Sequence, residues 1–317
     1  MELKVLDYDK SFMSSRLELN LKGKDINHIL VNTIRRAAMT YIPIYSWKVE
    51  INKNNSLYNN SMMKLRLQNL PVVGIKNNTI FYEKKKKDKK EETNFIDDME
   101  ISIDTETKIK INKNELIMYL NYTNTSINNV TVTTDDCIFY NSEGKKLVSV
   151  YKVPIPIIIL QPDQTITLSC SIELGTESIS SIFSPISIFS YEEKTENEYN
   201  IFIESRGQLT EKEILERTIL NLNKELDNFN NSIVDTKLKE GSIMIQDYDH
   251  TIGNIVAYYC FNHKDVNMFS YNMPHILNKV VNFNYKLKKN TIKNVINDSI
   301  ILIKKHLDIL LKKIKLI

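Results

Sequence analysis

"DYDHTIGNIVAYYC", residues 247–260, is the stretch on which the fold turns. Asp247, Asp249 and His250 stand within four positions, and carboxylates beside an imidazole can hold a metal or move a proton. The spacing argues against that chemistry. Asp249 and His250 are adjacent, so on a helix they diverge, and no second histidine follows four residues on. Asp249 instead stands just before Ile252, Ile255 and Val256, an apolar series at helical spacing. There a carboxylate accepts free backbone N–H groups and meets the positive end of the helix dipole. The stretch is therefore expected to be a packing helix capped by Asp249. Gly253 costs helix propensity, which points to close approach of another element, expected to be a helix. His250 has no such explanation.

Working outward, "GSIMIQDYD" reads as a strand leading into this helix. "NMFSYNMPHILNKVVNFNYKLK" reads as a turn and then a strand. "TIKNVINDSIILIKKHLDILLKKI" is a long amphipathic helix with Ile292, Val295, Ile296, Ile303, Leu307, Leu310 and Ile314 on its apolar face. The same plan stands earlier in the chain. "MELKVLDYDK" and "SSRLELNLKG" are short strands, and "DINHILVNTIRRAAMTYIP" is a helix with Asp25 as its expected N-cap and Pro43 beyond its end. Ile26, Ile29 and Leu30 match Ile252, Ile255 and Val256 in spacing. "SISIFSYEE" and "EYNIFIESRG" read as paired strands. They lead to "QLTEKEILERTILNLNKELDNF", where Thr210 and Glu213 form a capping box and Leu215, Ile219, Leu222, Leu226 and Phe229 form a seam for another helix. Between the two halves of the first plan lies a Thr-, Ile- and Val-rich region with strand alternation from about 99 to 175. Four helices with apolar faces point to a helical bundle backed by sheets.

Composition narrows the function classes. The 317 residues suffice for two or three domains, and 42% hydrophobic with 26% charged residues supports a packed core. A net charge of +3 is too mild for nucleic-acid binding over the whole surface. The cysteines, Cys137, Cys170 and Cys260, are three in number and far apart, which argues against a disulfide framework and suits a reducing compartment. The N-terminus has no signal-peptide pattern and "VPIPIIIL" is too short to span a bilayer, so the chain reads as soluble and intracellular. No Walker, GxGxxG, GxSxG or HExxH pattern occurs. The lysine block at 84–90 lacks interleaved aromatics and has acidic flanks, the composition of a solvated loop.

Two stretches carry a family resemblance. "NHILVNTIRRAAMTYIPIYSWKVEI", with Asn32, Arg35 and Arg36 followed by Ile42 and Pro43, resembles the α-type subunit of multisubunit RNA polymerases. That family includes bacterial α, its archaeal D-type counterpart and the third-largest subunit of RNA polymerase II. "MMKLRLQNLPV" looks like the family's next element. Asp249 to Asn254, then Phe269 to Tyr271, Met273 to His275 and 280–287, resemble the small partner, which is the archaeal L-type polypeptide or the eleventh subunit of polymerase II. The two resemblances together cover most of the chain. The cysteine cluster that many larger members carry in the insert is missing from 76–100.

The resemblance implies an α+β fold with two α-subunit-type dimerisation units, each a sheet plus two helices, forming an intramolecular pseudo-dimer. Its expected boundaries are 1–48 with 182–235 for the first unit, 49–181 for a β-rich insert domain, and 236–317 for the second unit. The implied role is a fused, non-catalytic platform for assembly of a DNA-directed RNA polymerase, an arrangement that suits a large DNA virus. Its expected partners are the second-largest and largest subunits and other small subunits, without sequence-specific nucleic-acid contact or membrane. Asn32, Arg35 and Arg36 are the expected large-subunit contacts. Ile29, Ile34, Leu222, Ile255, Leu307 and Leu310 are the expected pseudo-dimer core. No catalytic residue, metal or cofactor is expected. The setting would be the cytoplasm or a virion if viral, and a nucleus otherwise. Two other classes remain as alternatives: a nucleic-acid-binding regulator using 84–90, and a metal-dependent hydrolase using Asp247, Asp249 and His250.

Overall fold

The structure is a computed structural model. It describes the chain except residues 12–14, 76, 83–98, 105–106, 112–115, 142, 235, 237 and 276–277, and gives backbone alone for 99–104 and 107–111. The lysine block at 84–90 thus lies outside the described residues. In chain order come β1 (Glu2–Asp9), β2 (Arg16–Lys22), α1 (His28–Thr40), β3 (Ile44–Asn54), α2 (Asn60–Gln68), β4 (Met99–Asp104) and β5 (Thr107–Ile111). Next are β6 (Ile117–Thr123), β7 (Val130–Thr133), β8 (Ile138–Tyr140), β9 (Lys146–Leu147), β10 (Pro156–Leu160) and β11 (Thr165–Gly175). The chain continues with β12 (Ile186–Thr195), β13 (Glu198–Ser205) and α3 (Glu211–Asn231). It closes with β14 (Glu240–Gln246), α4 (His250–Phe261), β15 (Val266–Asn272), β16 (Val280–Leu287) and α5 (Ile292–Ile314). Met1–Ile42 with Ser184–Ile317 forms one compact unit, and Pro43–Phe183 forms another.

The first unit contains one β-α-β-β-α plan twice. In one repeat β2, α1, β12, β13 and α3 follow in order, and the strands lie as β2-β13-β12, with β1 added outside β2. In the other, β14, α4, β15, β16 and α5 follow, and the strands lie as β14-β16-β15. All neighbouring pairs are antiparallel. Both sheets are amphipathic. Leu17, Leu19 and Leu21 are buried on alternate positions of β2, and Val281, Phe283, Tyr285 and Leu287 on alternate positions of β16. The helices then join the repeats. α1 packs on α3 and α4 on α5 within each repeat, while α1 meets α4 and α3 meets α5 between them.

Caps set the register of these helices. Thr210 and Glu213 form a reciprocal capping box at the start of α3, and Thr291 caps α5 by accepting from Asn294 N. Aligned on these caps, buried Thr218 and Ser299 correspond, and each hydroxyl donates to the carbonyl four residues back, at 2.7 and 2.8 Å. Leu215, Ile219, Leu222, Leu226 and Phe229 are all buried. The cap of α1 is Asn27, whose Oδ1 accepts Leu30 N at 2.9 Å, rather than Asp25. Asp25 is held in a turn closed by Ile26 N donating to Gly23 O, so the helix starts beyond its reach. Aligning Asn27 with the α4 cap Asp249 sets buried Leu30, Val31, Ile34, Ala37 and Ala38 against buried Ile252, Gly253, Val256, Tyr259 and Cys260. That register is one turn away from the match that apolar spacing suggests, because Ile26 precedes its helix whereas Ile252 lies inside one.

The stretch read as a turn before β16 contains a further strand, β15, paired to β16. A bulge between Val266 and Met268 breaks its alternation, so Val266 and Phe269 are buried with two exposed residues between them.

The unit Pro43–Phe183 is mainly β. Its five-stranded sheet runs β3-β11-β6-β8-β9, with β7–β10 and β4–β5 as separate pairs. Met63 and Leu67 anchor α2 into a core with Trp47, Met118, Leu120, Phe139 and Leu168. Trp47 Nε1 donates to Tyr151 Oη at 3.3 Å, and that hydroxyl donates to Pro71 O at 2.9 Å, so the aromatic polar atoms are satisfied inside the core. Cys137 and Cys170 are free and buried here, and burial pushes the Cys137 thiol up to about 12.

Candidate functional site

The expected pseudo-dimer core residues all lie on helices of the first unit. Ile34, Leu222, Ile255, Leu307 and Leu310 are buried. Ile29, one residue into α1, is half-buried. Full burial of a Leu or Ile side chain contributes about 1.5–3 kcal/mol each, so the five buried positions stabilise the unit in which α1 meets α4 and α3 meets α5.

A polar cluster sits at the N-terminus of α4. Asp249 is the N-cap and accepts Thr251 N at 2.8 Å. Its other carboxylate oxygen lies 3.6 Å from Arg36 Nη2, and Arg36 Nε donates to Thr251 Oγ1 at 3.0 Å. One arginine of α1 therefore reads both the cap and the second residue of α4. The pair is partly solvated, with the arginine side chain 36% and the aspartate 28% exposed, so screening reduces its strength. Tyr41 is packed beside Thr251, and its phenol is pushed well above the usual range, by burial first and by Asp249 second. Burial also raises the Glu225 carboxyl of α3, and Asp249 adds to that shift while Lys224 opposes it. The Tyr248 phenol, with burial as the main cause and Glu225 second, is pushed up to about 12.

Asn32 and Arg35 take another direction from Arg36. Arg35 Nε donates to Asn32 Oδ1 at 3.1 Å and its Nη1 lies 3.8 Å from Met39 Sδ, a pairing along one helix face. Both residues are half-buried.

The Asp-Tyr-Asp-His stretch is occupied structurally. Asp247 has φ +69°, and its N–H donates to Lys279 O at 2.7 Å. His250 Nδ1 is 3.3 Å from Tyr271 Oη, and the two rings meet edge to face. That contact to β15 is the side chain's place in the fold, and it was invisible without the extra strand. Among the described residues no group of three or more His, Cys, Asp and Glu side chains is arranged to hold a metal ion. Gly253 faces the sheet and not a second helix: an added Cβ would stand 3.0 Å from Tyr271 Cδ2 and 3.1 Å from Val281 Cγ1. The small residue lets α4 lie against β15 and β16.

At the far end of α4 lies a groove of about 410 Å³, lined by residues that include Asp25, Asn27, Tyr258, His263, Asp298 and His306. His306 Nδ1 is 2.9 Å from Tyr259 Oη, and His306 Nε2 is 3.9 Å from Asp25 Oδ1. Burial lowers the imidazole's affinity for a proton, while Asp25 pulls in the opposite direction. Nothing in the sequence joined Asp25 to His306, because they belong to different repeats. Among the described residues no helix is long and apolar enough to cross a membrane.

Comparison with known proteins converges on this unit. Residues 240–313, from β14 nearly to the end of α5, match the family of the RNA polymerase Rpb3/Rpb11 dimerisation domain. Over 311 residues the chain is 28% identical to a protein of Acanthamoeba polyphaga mimivirus named as a putative DNA-directed RNA polymerase subunit, covering 90% of this chain and 85% of that one. The C-terminal repeat thus matches the Rpb3/Rpb11 dimerisation-domain family, in a chain that is similar to a viral RNA polymerase subunit along nine-tenths of its length.

Proposed function

We propose that this chain is a non-catalytic assembly platform of a DNA-dependent RNA polymerase, uniting an α-like pair in one polypeptide. The observation that carries the reading is the repeated β-α-β-β-α plan, with helices of one repeat packed on those of the other and the second repeat matching the dimerisation family. On this reading residues 1–48 with 182–235 act as the first dimerisation unit, 236–317 as the second, and 49–181 as a β-rich insert. Joining the repeats makes their association intramolecular and raises the effective concentration of each for the other. The platform then recruits the second-largest and afterwards the largest subunit, which hold the nucleotide-adding site. Asn32 and Arg35 carry the outward contact in this proposal, since the Arg36 guanidinium is engaged with Thr251 and Asp249. The natural setting is a viral factory in the cytoplasm, or a virion. The test is affinity capture of the tagged chain from cells that make the whole machinery. Two very large polymerase subunits should come down in stoichiometric amount. Recovery of a monodisperse free chain without them overturns the proposal.

A further inference from the structure

We propose that Arg36 with Asp249 and Thr251 is the device that makes the two repeats pair with each other and not with their own kind. The proposal rests on the paired-repeat reading but not on any polymerase role, so a failed capture experiment leaves its test intact.

The argument begins with the cap register. Asn27 corresponds to Asp249, Ile29 to Thr251, and Arg36 to Tyr258. Arg36 lies at the α4 cap, 3.6 Å from Asp249. Its counterpart Tyr258 lines the groove at the α1 cap together with Asn27. The two ends of the α1–α4 contact are therefore equivalent places with different contents. One holds a cation facing a carboxylate and a hydroxyl. The other holds a phenol in a groove shared with an amide, that of Asn27.

The asymmetry acts against like-with-like pairing. Two first repeats joined by the same geometry would set each Arg36 against Asn27 and Ile29, with neither the carboxylate nor the hydroxyl that it now has. Two second repeats would set each Asp249 and Thr251 against Tyr258, with no guanidinium to hold the cap and the hydroxyl together. Only the mixed pair sets the Arg36 guanidinium on the Asp249 cap and the Thr251 hydroxyl, a use of mismatch to exclude the wrong partner. The discrimination matters for a fused chain, because every molecule carries both repeats and like pairing would link molecules together.

The test uses the full chain, mixed in equal amounts as unlabelled and heavy-nitrogen-labelled protein, with amine cross-linking and mass spectrometry. Lys24 and Lys264 line the same groove, so the parent should give Lys24–Lys264 links within one copy. Like pairing should appear as links between light and heavy copies, formed at the expense of Lys24–Lys264 links. Arg36→Met should raise the ratio of the second to the first about five-fold, as expected for the loss of one coupled pair. Asp249→Asn keeps a good N-cap and should raise it in the same direction, and the double variant should add little beyond Arg36→Met. If Arg36→Met does not fold, Asp249→Asn carries the test alone. A ratio unchanged from the parent in the folded variants, or effects of the two substitutions that simply add, overturns the proposal.

Discussion

Leu307→Ala, set against Leu302→Ala on the same helix, measures how much the seam between repeats stabilises the chain. Leu307 is fully buried, while Leu302 is 43% exposed. Removing the Leu307 side chain beyond Cβ forfeits about 2.5 kcal/mol of transfer free energy at ~0.8 kcal/mol per methylene equivalent. It also leaves a cavity, because α5 is held on both sides by α3 and α4 and cannot collapse into the space. A residual void of about 50 Å³ adds roughly 1 kcal/mol, for a total of about 3.5 kcal/mol. Leu302→Ala loses only part of the transfer term and leaves no void, so its cost is about 1 kcal/mol or less. Urea unfolding followed by far-ultraviolet circular dichroism reads this unit, which among the described residues holds every α-helix except α2. The single tryptophan, Trp47, lies in the other unit and serves as a separate probe. With a slope of about 2 kcal/mol/M, Leu307→Ala should lower the helical midpoint by about 1.7 M. A shift no larger than that of Leu302→Ala would refute the assignment of this seam.

Three more expectations are open to measurement. Asp249→Ala should cost about 1 kcal/mol as a lost cap and speed amide exchange at Thr251, whereas Asp249→Asn should protect that amide almost as the parent does; equal protection in both variants would remove Asp249 as the cap. Gly253→Ala should destabilise, because the gain of about 1 kcal/mol in helix propensity is outweighed by overpacking that costs up to about 3 kcal/mol. Val281 is buried and β-branched and cannot swing aside, so a rise in melting temperature would show that the sheet yields more than argued. The third concerns His306, whose imidazole is harder to protonate in the folded chain than in the unfolded one, chiefly through burial. The unfolded chain then binds more protons, so this group's contribution is complete above about 6.5 and is lost as pH falls toward the folded value. His306→Gln should flatten that part of the stability–pH curve, and an unchanged slope would assign the dependence elsewhere.

Much of the first unit was legible because its signals are local. The Thr210–Glu213 capping box, the α3 seam from Leu215 to Phe229 and the apolar face of α5 repeat within a few residues, and each stands in the structure as the spacing implies. Asp249 is also a local signal, since a cap acts on the residues that directly follow it. The misreadings arise where backbone hydrogen bonding, not side-chain spacing, decides. Asp25 is drawn into a turn and Asn27 takes the cap. β15 hides behind a bulge that only its pairing with β16 reveals.

Sequence alone determined the helices, their apolar faces, the caps of α3 and α4 and the order in which the plan repeats, since these follow from signals along one segment. Tertiary structure decided what lies opposite. It sets the sheet against Gly253, Tyr271 beside His250, and Thr251 with Asp249 in reach of Arg36, across 215 positions of chain in the case of the hydrogen bond. No periodicity encodes such a partner. Whether an arginine faces solvent or the cap of another helix depends on how two sheets turn their helices toward each other, and that is settled by packing of the whole unit.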